Sequence, residues 1–319
     1  MKKLIFSLFL VLVLTPISTW AQNYPTKPIR MMVPFTPGGG TDILARIIAK
    51  SISDGLGVQV IVENKPGGNT LVATEALVRA APDGYTLLMQ TNNLASNVTL
   101  YAGKLSFDTM RDIAPVALVA GNPHVLVVNP SVKANDLKEF IALAKAKPGT
   151  ISFASAGSGT VNHLSGELLN MLAGVDMLHV PYKGSGSVMP DLLGGQINSM
   201  YAATPNVTAH IKEGKLRALA VTTTKRFKNL PNVPTIAELG YPKYDFSSWF
   251  GIIAPAGTPR IIIDKLNAEI IKALKDPAVL ERLDNYEIFG STPDDFGAFI
   301  RNEIEKTAQI IKVSGAKID

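Results

Sequence analysis

The 319-residue sequence contains no cysteine. That excludes disulfides, thiolate nucleophiles, thiolate metal sites and iron–sulfur clusters, and also a lipid anchor on an N-terminal cysteine. Histidine is scarce: His124, His163, His179 and His210 lie far apart. Zinc sites need three or four ligands, and the one suggestive pair, His163 and Glu167 at i,i+4 spacing, supplies two. No serine sits in Gly-x-Ser-x-Gly, so the nucleophile elbow of the hydrolases is missing. Charged residues make up only 18% of the chain. The excess of +5 forms no basic stripe of the kind nucleic acid requires. Beyond residue 14 no apolar run approaches the roughly 20 residues that cross a membrane as a helix. No residue is expected to be catalytic, to bind metal or to hold a cofactor.

What is present begins with an address. Met1-Lys2-Lys3 is cationic, and Leu4 to Leu14 is apolar apart from Ser7. Thr15-Pro16 breaks the run, and Thr19 and Ala21 offer small residues at the −3 and −1 positions. This is the pattern of a secretory signal peptide over residues 1–21. A membrane-spanning helix is the alternative, and eleven residues are too few for it. A mature chain from Gln22 would hold 298 residues at a formal charge of +3, the two lysines having gone with the signal. It would be exported and unanchored.

The remainder alternates short apolar runs with helical patterns. Ile29–Phe35 reads as a strand. Asp42–Asp54 follows as a helix, with Leu44, Ile47, Ile48 and Ile52 on one face. Val58–Val62 (strand), Thr70–Ala80 (helix) and Tyr85–Thr91 (strand) complete a β-α-β-α-β series, the mark of a parallel sheet flanked by helices. A second series runs from His124–Val128 to Leu216–Thr222. Two such series fit two α/β lobes better than one large sheet. After a Pro-rich stretch come a strand at Trp249–Ala254 and helices at Pro259–Leu274, Pro277–Leu283 and Pro293–Val313, the last two each opening on Pro. If this tail rejoins the first lobe, the expected division is 22–121 in lobe 1, 122–238 in lobe 2 and 239–319 in lobe 1 again. The crossings would fall near Ala120–Asn122 and Thr235–Asp245 and form a hinge.

The strand-to-helix loops are where chemistry could sit. Thr36-Pro37-Gly38-Gly39-Gly40-Thr41-Asp42 joins the first strand to the first helix. Its glycines leave backbone N–H groups open, and the helix dipole adds positive potential there. It is either an anion site or a capped turn. Ile43 stands where G-x-G-x-x-G would need its third glycine, and no P-loop lysine follows, so nucleotide phosphate is not expected. Ser155-Ala156-Gly157-Ser158-Gly159-Thr160 repeats the arrangement in the second series. Two such loops, one per lobe, can grip a ligand from both sides of a cleft. Thr91-Asn92-Asn93 follows the third strand, where α/β sheets line their crevice, although a plain turn is equally compatible. Tyr182-Lys183 closes another strand. Lys183 could meet an anion, and a solvated turn residue is the commoner fate of a loop lysine.

Read together, these stretches resemble a known family, the substrate-binding proteins of tripartite tricarboxylate transporters, or Bug-type periplasmic receptors. The similarity rests on Tyr24–Ile29 (YPTKPI), Val33–Asp42 (VPFTPGGGTD), Glu63–Gly67 (ENKPG), Ala80–Leu87 (AAPDGYTL), Ser155–His163 (SAGSGTVNH), His179–Gly184 (HVPYKG), Asp191–Gln196 (DLLGGQ), Gly214–Thr222 (GKLRALAVT) and Ser248–Pro259 (SWFGIIAPAGTP). Each is short; nine in order span nearly the whole mature chain.

The resemblance implies a periplasmic-binding-protein fold, α/β in class, with two lobes closing on a small organic acid. It implies that the Thr36–Asp42 and Ser155–Thr160 loops hold one carboxylate through backbone groups and waters, and it adds His163 to the expected lining. The partners implied are that acid and the membrane subunits of the transporter, with no nucleic acid. A ligand-loaded partner of a membrane sensor kinase would share every sequence feature, and an exported enzyme acting on carboxylates is the weaker rival. One departure stands out. Many relatives carry Asp-Asn after Gly-Gly-Gln, near the distal end of the ligand, where this chain has Tyr201-Ala202-Ala203-Thr204. Without that Asp a distal carboxylate meets less repulsion, so a dicarboxylate or aromatic acid is expected over an amino acid.

Overall fold

The computed structural model describes residues 24–182 and 184–317. The expected signal segment and Lys183 lie outside them. In the first lobe, β1 (Ile29–Val33), β2 (Val60–Asn64) and β3 (Thr86–Thr91) run parallel. They are joined through α1 (Gly40–Leu56) and α2 (Leu71–Val78). β4 (Ile113–Asn122) and β10 (Ser248–Pro255) extend the sheet antiparallel, with the two-residue β11 (Glu287–Ile288) on the edge, in the order β11-β4-β10-β3-β1-β2. In the second lobe the order is β7-β6-β8-β5-β9. Here β6 (Ser152–Ser155), β7 (Leu178–Pro181) and β8 (Ser199–Ala203) are parallel, and β5 (His124–Val128) runs antiparallel to β8 and to β9 (Arg217–Val221). The fold is α/β with two sheets, one per lobe.

The helices follow the apolar spacing. α1 buries Leu44, Ala45, Ile48 and Ile52 and stops at Gly57, whose φ of 70° suits a residue without Cβ. α4 (Leu137–Ala146), α5 (Val161–Ala173), α6 (Ser185–Leu193) and α7 (Thr204–Lys212) cover the second sheet, and α8 (Arg260–Ala273) and α9 (Pro277–Arg282) return to the first. Besides the two-residue β11, two elements escape the sequence reading. α3 (Asn93–Leu100, NLASNVTL) is rich in Asn, Ser and Thr, which favour turns over helix interiors. β4 (IAPVALVAGN) carries an apolar run with no alternation and an internal Pro115, close to a shift in its register with β10.

The chain enters the second lobe at Pro123, between β4 and β5, and returns at Ser247. The return lies later than Thr235–Asp245 because Ile236, Tyr244 and Phe246 are packed in the second lobe's core. The C-terminal helix α10 (Pro293–Ser314) also departs from the expected division. Phe296 and Ile300 pack with Trp249 in the first lobe, and Ile310 and Ile311 pack with Phe140 and Tyr244 in the second. At about 1.5 Å per residue its 22 residues outrun one lobe, so it ties the two together. Gly251 lets α10 approach β10: a Cβ there would lie 2.1 Å from Phe296 Cζ. Gly251→Ala is therefore expected to cost about 1–3 kcal/mol by overpacking, read as a lowered urea midpoint. A midpoint equal to wild type would show that Phe296 yields freely.

Candidate functional site

A cleft of about 620 Å³ opens between the lobes. Its walls are built by strand ends: β1, β3, β6 and β8 all point their carboxyl ends toward it, the usual crevice of α/β sheets. Five helices begin there. Gly39, Gly40 and Thr41 lead into α1, Asn92 and Asn93 into α3, Thr160, Val161 and Asn162 into α5, Ser185 into α6, and Ala203, Pro205 and Asn206 into or along the first turn of α7. None of the five has a side-chain hydrogen bond at its N-cap. Their first amides lack intrahelical partners. By contrast α4, α9 and α10, which begin elsewhere, are capped by Asp136, Asp276 and Thr292. α2 and α8 are uncapped as well, so a single open end decides nothing. Convergence of five does: their partial positive charges add in one space. Among the described residues the lining holds no Asp, Glu or Lys and one cation, Arg282.

The first Gly-rich loop is held from behind. Asp42 is buried, and its carboxylate accepts from Gly38 N (3.0 Å), Arg46 Nε (3.0 Å) and Asn64 Nδ2 (2.8 Å). Burial alone would raise this carboxyl, but the Arg46, Gly38 and Asn64 bonds outweigh it and hold it below the usual range. Asp42 thus shapes the loop while Gly38, Gly39, Gly40 and Thr41 line the cleft. Thr36 and Pro37 are exposed and outside the lining. The Tyr286 hydroxyl donates to Gly40 O at 3.0 Å, fastening the far C-terminal segment to this loop.

The second loop reaches the cleft through Thr160 alone. Ser155 is fully buried and shares a hydrogen bond with His179 Nε2 at 2.6 Å; its Oγ also meets Gly157 O and accepts from Gly157 N. His163 is buried too. Its Nδ1 accepts from Gly159 N (3.0 Å), which leaves its proton on Nε2, 3.5 Å from Glu167. The imidazoles of His163 and His179 stack at 3.7 Å. These residues hold the loop's shape, and Ala156, Gly157, Ser158 and Gly159 lie outside the lining. Tyr182 lies outside it as well: its hydroxyl donates to Asp191 at 2.6 Å, which pushes its pKa up to about 12. Ala202 and Thr204 are buried behind Ala203, with Thr204 donating to Asn122 Oδ1.

The hinge forms the cleft floor. Asn92 Nδ2 donates to Ser247 O, and its Oδ1 accepts from Trp249 N. His124 Nδ1 lies 3.2 Å from Tyr201 O, and its Nε2 lies 2.9 Å from Ser248 Oγ. A carbonyl only accepts, so Nδ1 carries the proton and Nε2 accepts from the serine across the lobe boundary. Burial pulls His124 down to about 4, so it is neutral at physiological pH. Asn122, His124, Ser248 and Phe250 were not expected from sequence to line the cleft, nor were Arg282, Asn285 and Tyr286. The crossing at Ala120–Asn122, the scattered histidines and the Ser248–Pro259 motif touched the first four, and nothing marked the last three.

The sequence model of the tripartite tricarboxylate transporter family receptor matches residues 44–316. The chain belongs to this family. It is 40% identical over 302 residues to the protein BugT of Bordetella pertussis, covering 93% of this chain and 92% of BugT. Among solved structures it resembles R. palustris Rpa4515 with adipate, with a TM-score of 0.81 and 32% identity over 93% of this chain and all of that one. It also resembles MatC from Rhodopseudomonas palustris with bound malate, with a TM-score of 0.77 and 31% identity over 90% of this chain and all of that one. As a receptor of the tricarboxylate transporter family it has the expected two-lobed periplasmic-binding-protein fold, and no helix among the described residues is long and apolar enough to cross a membrane.

Proposed function

We propose that this receptor works in the periplasm, reached through the N-terminal signal segment. There it captures a small carboxylate by closing its lobes and delivers it to the membrane subunits of a tripartite tricarboxylate transporter, doing no chemistry on it. The observation that carries the reading is the cleft itself: five helix N-termini converge on a space whose described lining has one arginine and no acid. Amide-to-carboxylate bonds are charge-assisted and contribute about 1.5–3 kcal/mol each. The Gly39–Thr41 amides and those following Thr160 would grip one carboxylate from opposite lobes, with Asn92 and Asn93 beside them. A dicarboxylate or aromatic acid is favoured, since Ala203 leaves the distal region without a negative charge. The adipate and malate seen in the two relatives above support the same class. Closure would be driven by contacts that exist only when both lobes touch the ligand. Calorimetry against adipate, malate and benzoate, paired with small-angle scattering, tests this. Binding of at least one acid with a smaller radius of gyration is expected. Binding of none, or binding without compaction, would overturn it.

A further inference from the structure

Arg282 ends α9 and lies in the cleft wall contributed by the C-terminal third of the chain. Nothing in the β/α pattern of the two Gly-rich loops points to this segment. Its backbone is well anchored: Asp276 caps α9 by accepting from Ala278 N at 2.8 Å, and Leu283 is buried in the first lobe's core. Four residues on, Tyr286 stacks edge-on to Phe250 at 5.8 Å and holds Gly40 O. Between them, Asp284 reaches the other lobe, accepting from Lys228 Nζ at 2.6 Å and from Asn229 Nδ2 at 3.2 Å. The stretch 282–286 therefore joins the first Gly-rich loop, the cleft wall and the facing lobe.

The Arg282 guanidinium itself has no hydrogen-bond or ion-pair partner among the described residues. That sets it apart. Arg30, Arg46, Arg79, Arg111, Arg226 and Arg260 are each paired with a carboxylate, and Arg217 with backbone carbonyls. Arg301, the other one without a partner among the described residues, is on the exposed side of α10, outside the cleft. The carboxylate nearest in sequence on the C-terminal side, Asp284, is taken by Lys228. An arginine presents a rigid fork of donors that fits a carboxylate bidentately. Here the fork stands in a cleft wall where no carboxylate among the described residues competes for it.

We propose that Arg282, with Asn285 beside it as a neutral donor, is the subsite for a second carboxylate, and so selects linear dicarboxylates over monocarboxylates and aromatic acids with one carboxyl. This rests on the carboxylate reading above and narrows it. The helix N-termini hold the first carboxylate; Arg282 reads the far end. A ligand bound so would also bear on the segment that carries the Asp284–Lys228 contact between lobes, coupling diacid recognition to closure.

Calorimetric titration of wild type, Arg282→Gln and Arg282→Lys with adipate against hexanoate, and succinate against butyrate, tests the proposal. Arg282 is exposed, so the variants should melt with wild type. Arg282→Gln is expected to weaken the better-bound diacid about tenfold while shifting the matched monoacid less than about twofold, and Arg282→Lys to recover part of the loss, as a point charge without the fork does. Equal loss for diacid and monoacid, no loss for either, or a wild type that prefers monoacids would each overturn Arg282 as the subsite and leave the carboxylate reading standing. A wild type that binds none of the four acids would overturn both.

Discussion

Trp249→Ala is expected to destabilise the protein by about 3–5 kcal/mol, the range for deleting a large buried aromatic. Trp249 is 2% exposed and packs edge-on against Phe296 (5.8 Å) and Phe299 (5.6 Å) of α10. It lies between Ser248 and Phe250, which face the cleft, so strand alternation turns its indole to the opposite side of the hinge. There Nε1 donates to Glu303 Oε2 at 3.1 Å. Glu303 is 3% exposed and is also held by Lys306, which reaches Asp245 O at 3.1 Å. Burial raises the Glu303 carboxyl, more than Lys306 and Trp249 lower it. The sign follows. A carboxyl raised on folding contributes stability that is complete below the ordinary glutamate value and is lost as pH rises through its folded value. Removing the indole N–H removes a donor to the carboxylate and pushes that value higher still. Trp249→Phe, which keeps a ring but no donor, should therefore show a deficit that grows from mildly acidic to neutral pH, while the packing part of the Trp249→Ala loss persists at both. Urea unfolding at the two pH values measures this. A Trp249→Ala midpoint equal to wild type would remove the hinge from the list of stability determinants.

The residues that sequence reading reached are those whose physics is local. Leu44, Ile48 and Ile52 announce α1 by spacing alone, and the glycines of 38–40 announce a strand-to-helix turn, in which Gly38 N is nevertheless taken by Asp42. The same locality misleads at the second loop. Ser155, Gly157, Gly159 and His163 look like lining because they are small, polar and beside a helix start. Yet they are spent on one another and on His179, a residue 24 positions from Ser155, and only Thr160 faces the cleft. Tyr182 misleads in the same way, its hydroxyl being taken by Asp191. Arg282 and Tyr286 were missed for the opposite reason. They sit in an ordinary amphipathic tail; what gives Tyr286 a role is contact with Gly40, 246 residues away, and what gives Arg282 one is its place in the cleft wall. No periodicity encodes a pairing of that range. α10 shows the limit at the scale of the fold: its pattern predicts a helix, but not that its two ends serve different cores.

Ala203→Asp is expected to stabilise the fold and weaken the binding of a dicarboxylate by about a hundredfold. Ala203 is the N-cap of α7, adopts φ −58° and ψ 130°, and lines the cleft. Its side chain can accept nothing from the first amides of α7. An aspartate at this position can accept from the third amide of α7, Asn206 N, the second position being Pro205 without an N–H, and such an N-cap bond is worth about 0.5–2 kcal/mol relative to alanine. The same carboxylate brings a negative charge into a lining that has none among the described residues. At about 6 Å and an effective dielectric near 20, two like charges repel by about 2–3 kcal/mol, and each 1.4 kcal/mol is about tenfold in affinity. The cap also takes one of the helix-end donors and offsets part of the α7 dipole that the anion would use. Stability and affinity should therefore move in opposite directions, which no general damage to the fold would produce. Ala203→Asn separates the two effects: it can cap but carries no charge, so it should raise the melting temperature with only a small loss of affinity. Thermal melts and calorimetry with adipate on both variants decide the matter. If Ala203→Asp bound adipate as tightly as Ala203→Asn, the uncharged character of this wall would have no part in selecting the ligand. If aspartate bound the Asp variant better than adipate did, the single alanine would account for the preference proposed above for acids without an amino group.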